Sequence, residues 1–257
     1  MITVISPAKS LDFESPAPNV GFTEPALIDQ SERVMQSLRK KSVNKLMQMQ
    51  DISRNLAELN YGRNQVWSMD NTEANSRQAV SAFQGDVYQG LCAWDFSEEE
   101  YQFAQDHLRI LSGLYGILRP LDRIQPYRLE MGTGLRTTRG KNLYEFWKMR
   151  ITDEVNALLQ EQEVPVLINL ASDEYFKSIK PKKVNGTIIQ PVFMDKKNGK
   201  FKIISFFAKK ARGLMSRYLI QNRIDEPEYL KGFDFEGYGY NAELSQDHKW
   251  VFTRDQE

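Results

Sequence analysis

The apolar residues of this chain recur with two periods, and the alternation between them sets out an α/β order. Short apolar or β-branched runs at Ile2–Ile5, Leu108–Leu111, Val164–Leu170 and Ile188–Met194 read as buried strands. Helical spacing fills the stretches between them. It runs from Glu24 to about Asn64, where Ser42 caps a helix over Val43–Gln50 and a second helix follows Ile52 and Ser53. It returns over Asn71–Phe83, over a segment from Ser97 to about His107 that opens with three glutamates, and over Leu143–Gln160. Asn198-Gly199 predicts a hairpin between Ile188–Met194 and Phe201–Phe207. Pro227 opens a short helix, and Lys249–Thr253 forms a last strand. No repeat, low-complexity tract or linker divides the chain. Residues 1–257 are therefore expected to form one α/β domain, a mixed sheet surrounded by helices.

The densest pattern lies in Phe201–Arg223. Phe201–Ala208 is apolar and aromatic, which predicts a buried strand. From Lys209 the period is helical, and Ala211, Leu214, Met215, Tyr218 and Leu219 fall on one side. Lys209, Lys210, Arg212, Gly213, Ser216 and Arg217 fall on the other, and only Ile220 breaks the partition. Four cations set among the smallest residues of the helix suit a phosphate partner that approaches closely. A solvated amphipathic face is the plain alternative.

Charge changes the weight of that segment. The chain holds 34 basic and 34 acidic residues, yet residues 177–223 carry 13 Lys and Arg against one acid. The flanks compensate: residues 1–176 hold 18 against 24, and residues 224–257 hold 3 against 9. Such segregation points to a polyanion site, unless the acidic flanks neutralise the basic stretch within the fold. Hydrophobic content of 41% with 11% aromatics belongs to a folded chain, not a disordered one. Cys92 stands alone, so no intrachain disulfide forms and a reducing compartment fits. MITVISPAKS lacks the features of a signal peptide, and no run nears the ~18 apolar residues of a membrane span. A cytoplasmic protein with no membrane partner is expected.

Candidate chemistry gathers at three places. Ser6-Pro7-Ala8-Lys9 follows the first strand, and Ser172-Asp173-Glu174 follows Val164–Leu170. Strand C-terminal ends are where α/β proteins place their sites, so Lys9, Asp173 and Glu174 are candidates for acid–base work. The plainer role for Ser172 is a helix cap, with both acids in the first turn. Second, Leu46-x-x-Met49-x-x-Ile52-Ser53-x-x-x-Ala57 has the spacing of a helix–hairpin–helix element, whose amides hold a DNA phosphate without reading bases. Ser53 stands where the usual hairpin glycine would be, and Asp51 adds a negative charge, so a plain helical hairpin over about 42–64 is the alternative. Third, the Gly- and Pro-bearing stretch 112–131 reads as an ordered loop, where Asp122 and Glu130 can pair Arg119, Arg123 and Arg128. The absences narrow the rest. His107, His248 and Cys92 cannot build an ordinary His/Cys zinc site, and no phosphate-loop, dinucleotide or nucleophile-elbow motif occurs. No metal and no cofactor are expected.

Five stretches, ISPAKSLD, FQGDVYQGL, SGLYGILRPLD with PYRLEM, NLASDEYFK and FAKKARGLMSR, together resemble the YaaA peroxide-stress-response family of bacteria. They follow in order over residues 1 to about 240. The resemblance implies a cytoplasmic protein, induced by hydrogen peroxide, that limits damage from unincorporated iron. It implies an α/β domain of unusual topology with a positively charged cleft and a helix–hairpin–helix, binding duplex or distorted DNA. It brings no cofactor and no established reaction. Two readings follow. In the first, Lys177, Lys180, Lys182, Lys183, Lys209, Lys210, Arg212 and Arg217 neutralise DNA phosphates, while Ser53 and Arg54 anchor the backbone at the hairpin. In the second, Lys9, Asp173 and Glu174, with Lys209 or Arg212, form a pocket acting on DNA or a nucleotide-like substrate. An iron-handling carboxylate site ranks last, because the candidate acids sit amid positive charge. The oligomeric state is open, with a monomer expected.

Overall fold

The computed structural model describes residues 1–255. Its centre is an eight-stranded sheet of β1 (Ile2–Ile5), β2 (Leu108–Ser112), β3 (Gly116–Leu118), β4 (Val166–Leu170), β5 (Thr187–Lys197), β6 (Lys200–Lys202), β7 (Gly239–Tyr240) and β8 (Lys249–Asp255). The order is β7-β8-β5-β4-β1-β2-β3, with β6 paired to β5. β8, β5, β4, β1 and β2 run parallel, and β3, β6 and β7 are antiparallel to their neighbours. Composition explains the centre: every residue of β1 and β4 is buried, so neither face can be left to water.

Around the sheet lie α1 (Ile28–Arg39), α2 (Val43–Gln50), α3 (Arg54–Val66), α4 (Asp86–Leu91), α5 (Glu98–His107), α6 (Leu143–Trp147), α7 (Arg150–Gln160) and α8 (Ser205–Gln221). α5 opens on a capping box. Ser97 Oγ accepts the Glu100 N–H at 3.2 Å, and the Glu100 carboxylate accepts the Ser97 N–H at 2.6 Å. The chain reaches β2 through α5 on one side of β1, and β4 through α7 on the other. Right-handed connections then place α5 and α7 on opposite faces of the sheet. The winding reverses between β1 and β4, so a crevice opens outside their C-terminal ends.

Three elements depart from the apolar pattern. The strand expected over Phe201–Ala208 is confined to Lys200–Lys202, and α8 already begins at Ser205. The β5–β6 ladder ends at Lys202 opposite Asp195, Ile203 beyond it is exposed, and the aromatic run that follows joins the helix. The turn itself is as predicted, with Asn198 at φ 54° and Gly199 at φ 73°, the two left-handed residues of a tight hairpin. Asn71–Phe83 is not one helix. A single turn, Ala79–Ala82, sits between two short ribbons: Arg77-Gln78 pairs with Arg123-Ile124, and Phe83-Gln84 pairs with Ser10-Leu11. Leu143–Gln160 is broken at Lys148, whose φ of 50° separates α6 from α7.

Candidate functional site

α8 crosses α4 through two glycines. A Cβ on Gly213 would lie 1.8 Å from the Val87 carbonyl oxygen, and one on Gly90 would lie 2.2 Å from that of Lys210. No side chain fits at either position. Gly213 and Ser216, expected on the outward face of α8, are buried. The small residues thus serve a helix–helix seam and not the approach of a phosphate.

The four cations beside that seam divide. Lys210 pairs with Glu236 at 2.5 Å. Arg217 pairs with Asp95 at 2.6 Å and donates to the Leu91 and Cys92 carbonyls at the end of α4. Lys209 and Arg212 line a cleft of about 300 Å³ outside the C-terminal ends of β1 and β4. Burial pulls the Arg212 guanidinium pKa down, with the negative charge of Asp173 opposing the shift. Arginine keeps its proton through such a shift, so the cleft holds a half-buried cation. Among the described residues no carboxylate lies within 4.0 Å of Lys209 or Arg212.

Each wall of the cleft comes from a different part of the chain. The loop after β1 supplies Ser6 and Lys9, and the turn after β4 supplies Ser172 and Glu174. Ser172 sits at the N-cap position of Asp173–Phe176, yet its hydroxyl does not cap. Instead its N–H donates to Ser6 Oγ at 2.9 Å and its Oγ accepts from Ser6 Oγ at 3.3 Å, which stitches the two strand ends together. Tyr88 OH donates to the Ser6 carbonyl at 3.1 Å and so fixes α4 to the same loop. Lys9 pairs with Glu130 at 2.8 Å, and Glu174 Oε1 accepts the Gly132 N–H at 2.8 Å. Asp173 is exposed and stands outside the lining, acting on Arg212 at longer range. The structure therefore brings Lys9, Glu174, Lys209 and Arg212 together, and adds Ser6, Tyr88 and Glu130, which the sequence reading did not single out for the site.

The stretches on which the resemblance rests meet here: Ser6 and Lys9, Gln84 to Tyr88, Glu130, Ser172 and Glu174, Lys209 and Arg212. A family model described as peroxide stress protein YaaA matches residues 1–244. The chain belongs to that family. A UPF0246 protein of Saccharophagus degradans is 54% identical over 256 residues, covering 100% of both chains. Among the described residues, no helix is long and apolar enough to cross a membrane.

The other basic residues of this YaaA-family chain lie away from the cleft lining. Lys177, Lys182 and Lys183 are exposed and Lys180 is half-buried, and none has a carboxylate partner among the described residues. Lys177 Nζ stands 5.3 Å from the Tyr144 ring centroid. Backbone bonds tie the segment to α7: the Lys180 N–H donates to Thr152 Oγ1 at 3.0 Å, and the Lys183 carbonyl accepts from Asn156 at 2.8 Å. α8 packs on α4 and α5 instead, so the two basic stretches rest on different layers. At the helical hairpin, Asp51 takes a left-handed conformation between α2 and α3. Ser53 Oγ accepts the Leu56 N–H at 3.4 Å, and Arg54 pairs with Glu58 at 2.8 Å on its own helix. In the loop over 112–131, buried Asp122 pairs with Arg119 at 2.9 Å, and Glu130 holds Arg128 at 3.3 Å as well as Lys9. Arg123 takes neither acid. It lies 3.3 Å over the Phe22 ring and 3.6 Å from Glu73.

Proposed function

We propose that this protein serves in peroxide stress by binding DNA through its phosphates, with the cleft at Lys209 and Arg212 seating one of them. The observation that carries the reading is the state of the basic segment. Of its 13 cations, only Lys196, Lys210 and Arg217 pair with a carboxylate among the described residues. The acidic flanks leave most of the charge to a partner, and duplex DNA offers anions in a continuous row. Lys177–Lys183 and the hairpin residues Ser53 and Arg54 would take further phosphates along it. Coating DNA in this way would limit its oxidation by iron and peroxide. Titrating a labelled duplex at rising salt tests the binding. The logarithm of affinity should fall against log salt with a slope near −0.9 per phosphate contacted. Equal affinity at low and high salt would overturn it.

A second reading is favoured by the position of Lys9 and Glu174 in one small cleft at the switch point of the sheet. There the cations would hold a phosphate ester while Glu174, with Asp173 nearby, moves a proton. Incubating nicked, single-stranded and duplex DNA with the protein and separating the strands by electrophoresis decides it. Product that disappears with Glu174→Gln supports chemistry. Unchanged substrate in every lane removes it.

A further inference from the structure

A second cavity shares a wall with the cationic cleft. It encloses about 660 Å³, a size typical of small-molecule sites. Gln84, Gly85 and Tyr88 line both spaces, so the two are neighbours across the backbone at Gly85. Their chemistry differs. Lys9, Lys209 and Arg212 edge the cleft beside Asp86, Glu130 and Glu174, whereas Val80, Phe83, Ala93 and Trp94 give the cavity an apolar wall. Trp94 is 72% exposed, a large aromatic surface that the core does not use.

Polar side chains line the rest of the cavity, Asp12, Arg77 and Gln84 among them. Gln84 Nε2 donates to Asp12 Oδ2 at 2.9 Å, which leaves its own carbonyl oxygen free to accept. Arg77 is only 8% exposed, and its terminal nitrogens donate to the Ser15 and Pro16 carbonyls. Its Nε–H has no hydrogen-bond partner among the described residues. That nitrogen is buried away from the cavity space, so Arg77 serves the wall by holding the Ser15–Pro16 loop and not by meeting a ligand.

We infer that the two spaces form one nucleotide seat. A planar base enters the apolar cavity against Trp94, and its phosphate lies in the cleft at Lys209 and Arg212. The phosphate half rests on the DNA reading above, and the base half rests on the cavity alone. Aromatic walls accept the π-face of any base, while the Gln84 oxygen meets its polar edge. In DNA, the base must leave the stack to enter, which costs least where strands are unpaired. A free nucleotide carries the same chemistry without that cost.

Tryptophan fluorescence tests the seat on the full chain. Trp67, Trp147 and Trp250 are buried, so quenching by a small ligand reports mainly on Trp94, and Trp94→Phe isolates its share. A nucleoside monophosphate should quench more strongly than the nucleoside, and inorganic phosphate should not quench. Lys209→Gln with Arg212→Gln should erase the advantage of the monophosphate over the nucleoside. Ala17, exposed on the loop that walls the cavity, allows a plug that leaves the core intact. Ala17→Trp should lower nucleotide affinity about tenfold, the size of a lost base–aromatic stack. It should also reduce binding of a duplex with an unpaired bubble to the level of matched duplex, which itself is unchanged. A response of the mononucleotide alone identifies a free nucleotide as the source, and a response of the bubble alone identifies an unstacked base of DNA. If Ala17→Trp and Trp94→Ala alter neither, the seat is overturned, whereas the DNA reading stands or falls separately on matched duplex and its salt slope.

Discussion

Lys209 and Arg212 share one helix with Lys210 and Arg217, yet the two pairs have different fates. Lys210 and Arg217 are consumed by Glu236 and Asp95, whereas Lys209 and Arg212 face a cleft with no carboxylate within pairing distance among the described residues. The glycine seam sets the difference. Because Gly213 lets the α4 backbone approach, one flank of α8 leans on the last carbonyls of α4, where a helix leaves acceptors unpaired and favours a cation. The other flank is turned toward the ends of β1 and β4. A cation on a helix is therefore structural or available according to what stands opposite it, and residue type alone does not decide.

The largest expected effect comes from breaking the seam that holds the two flanks apart. Gly213→Val places carbon where the Val87 carbonyl already stands, so α4 and α8 must separate. A loss of roughly 3 kcal/mol or more is expected, to be read by urea denaturation. Wild-type stability would mean that the crossing is looser than its geometry. Next in size is the contrast between the pairs themselves. Lys209→Gln with Arg212→Gln should reduce the salt slope of duplex binding by about 0.9, the value for the one phosphate seated in the cleft. Lys210→Gln with Arg217→Gln should leave that slope nearly unchanged. Equal changes in both double variants would erase the distinction.

Much of this arrangement is legible in the sequence, and the exceptions share a cause. β1 and β4 show as unbroken apolar runs because both of their faces are covered, and the residues just after them lead to Lys9 and Glu174. The helical period of α8 puts its cations on one side with Gly213 and Ser216, but those two small residues are buried, Gly213 against α4, and do not face outward. It cannot say what the small residues admit, since a bare backbone accommodates a phosphate or another helix equally well. That choice depends on Gly90, far away in the chain, as the fate of Arg217 depends on Asp95. Glu130 carries no site signal in the sequence for the same reason: nothing local tells which loop acid meets Lys9. The Phe201–Ala208 strand failed differently. Aromatic propensity favours a strand, but the ladder with β5 stops at Lys202 opposite Asp195 and the residues from Ser205 onward are helical.

Smaller effects sharpen the comparison by separating stability from binding. Arg217→Gln removes an ion pair with half-exposed Asp95 and hydrogen bonds to two carbonyls. A cost of about 1 to 2 kcal/mol is expected in thermal or urea unfolding, with duplex affinity retained. Loss of affinity without loss of stability would move Arg217 to the binding face.

The helical hairpin gives the last and smallest test, because its two candidate residues should behave in opposite ways. Ser53 already uses its hydroxyl to cap α3, so Ser53→Ala should cost about 1 kcal/mol of stability. Its backbone amide is untouched by the change, and a phosphate held there would stay held. Arg54 lies on the surface, tied among the described residues only to Glu58 one turn along, so Arg54→Gln should cost no more than about 0.5 kcal/mol. Yet if the hairpin contacts DNA, that same variant should lower the salt slope by about 0.9, one phosphate's share. A slope unaffected by Arg54→Gln would confine the interface to the cations of residues 177–223 and leave α2 and α3 a packing role.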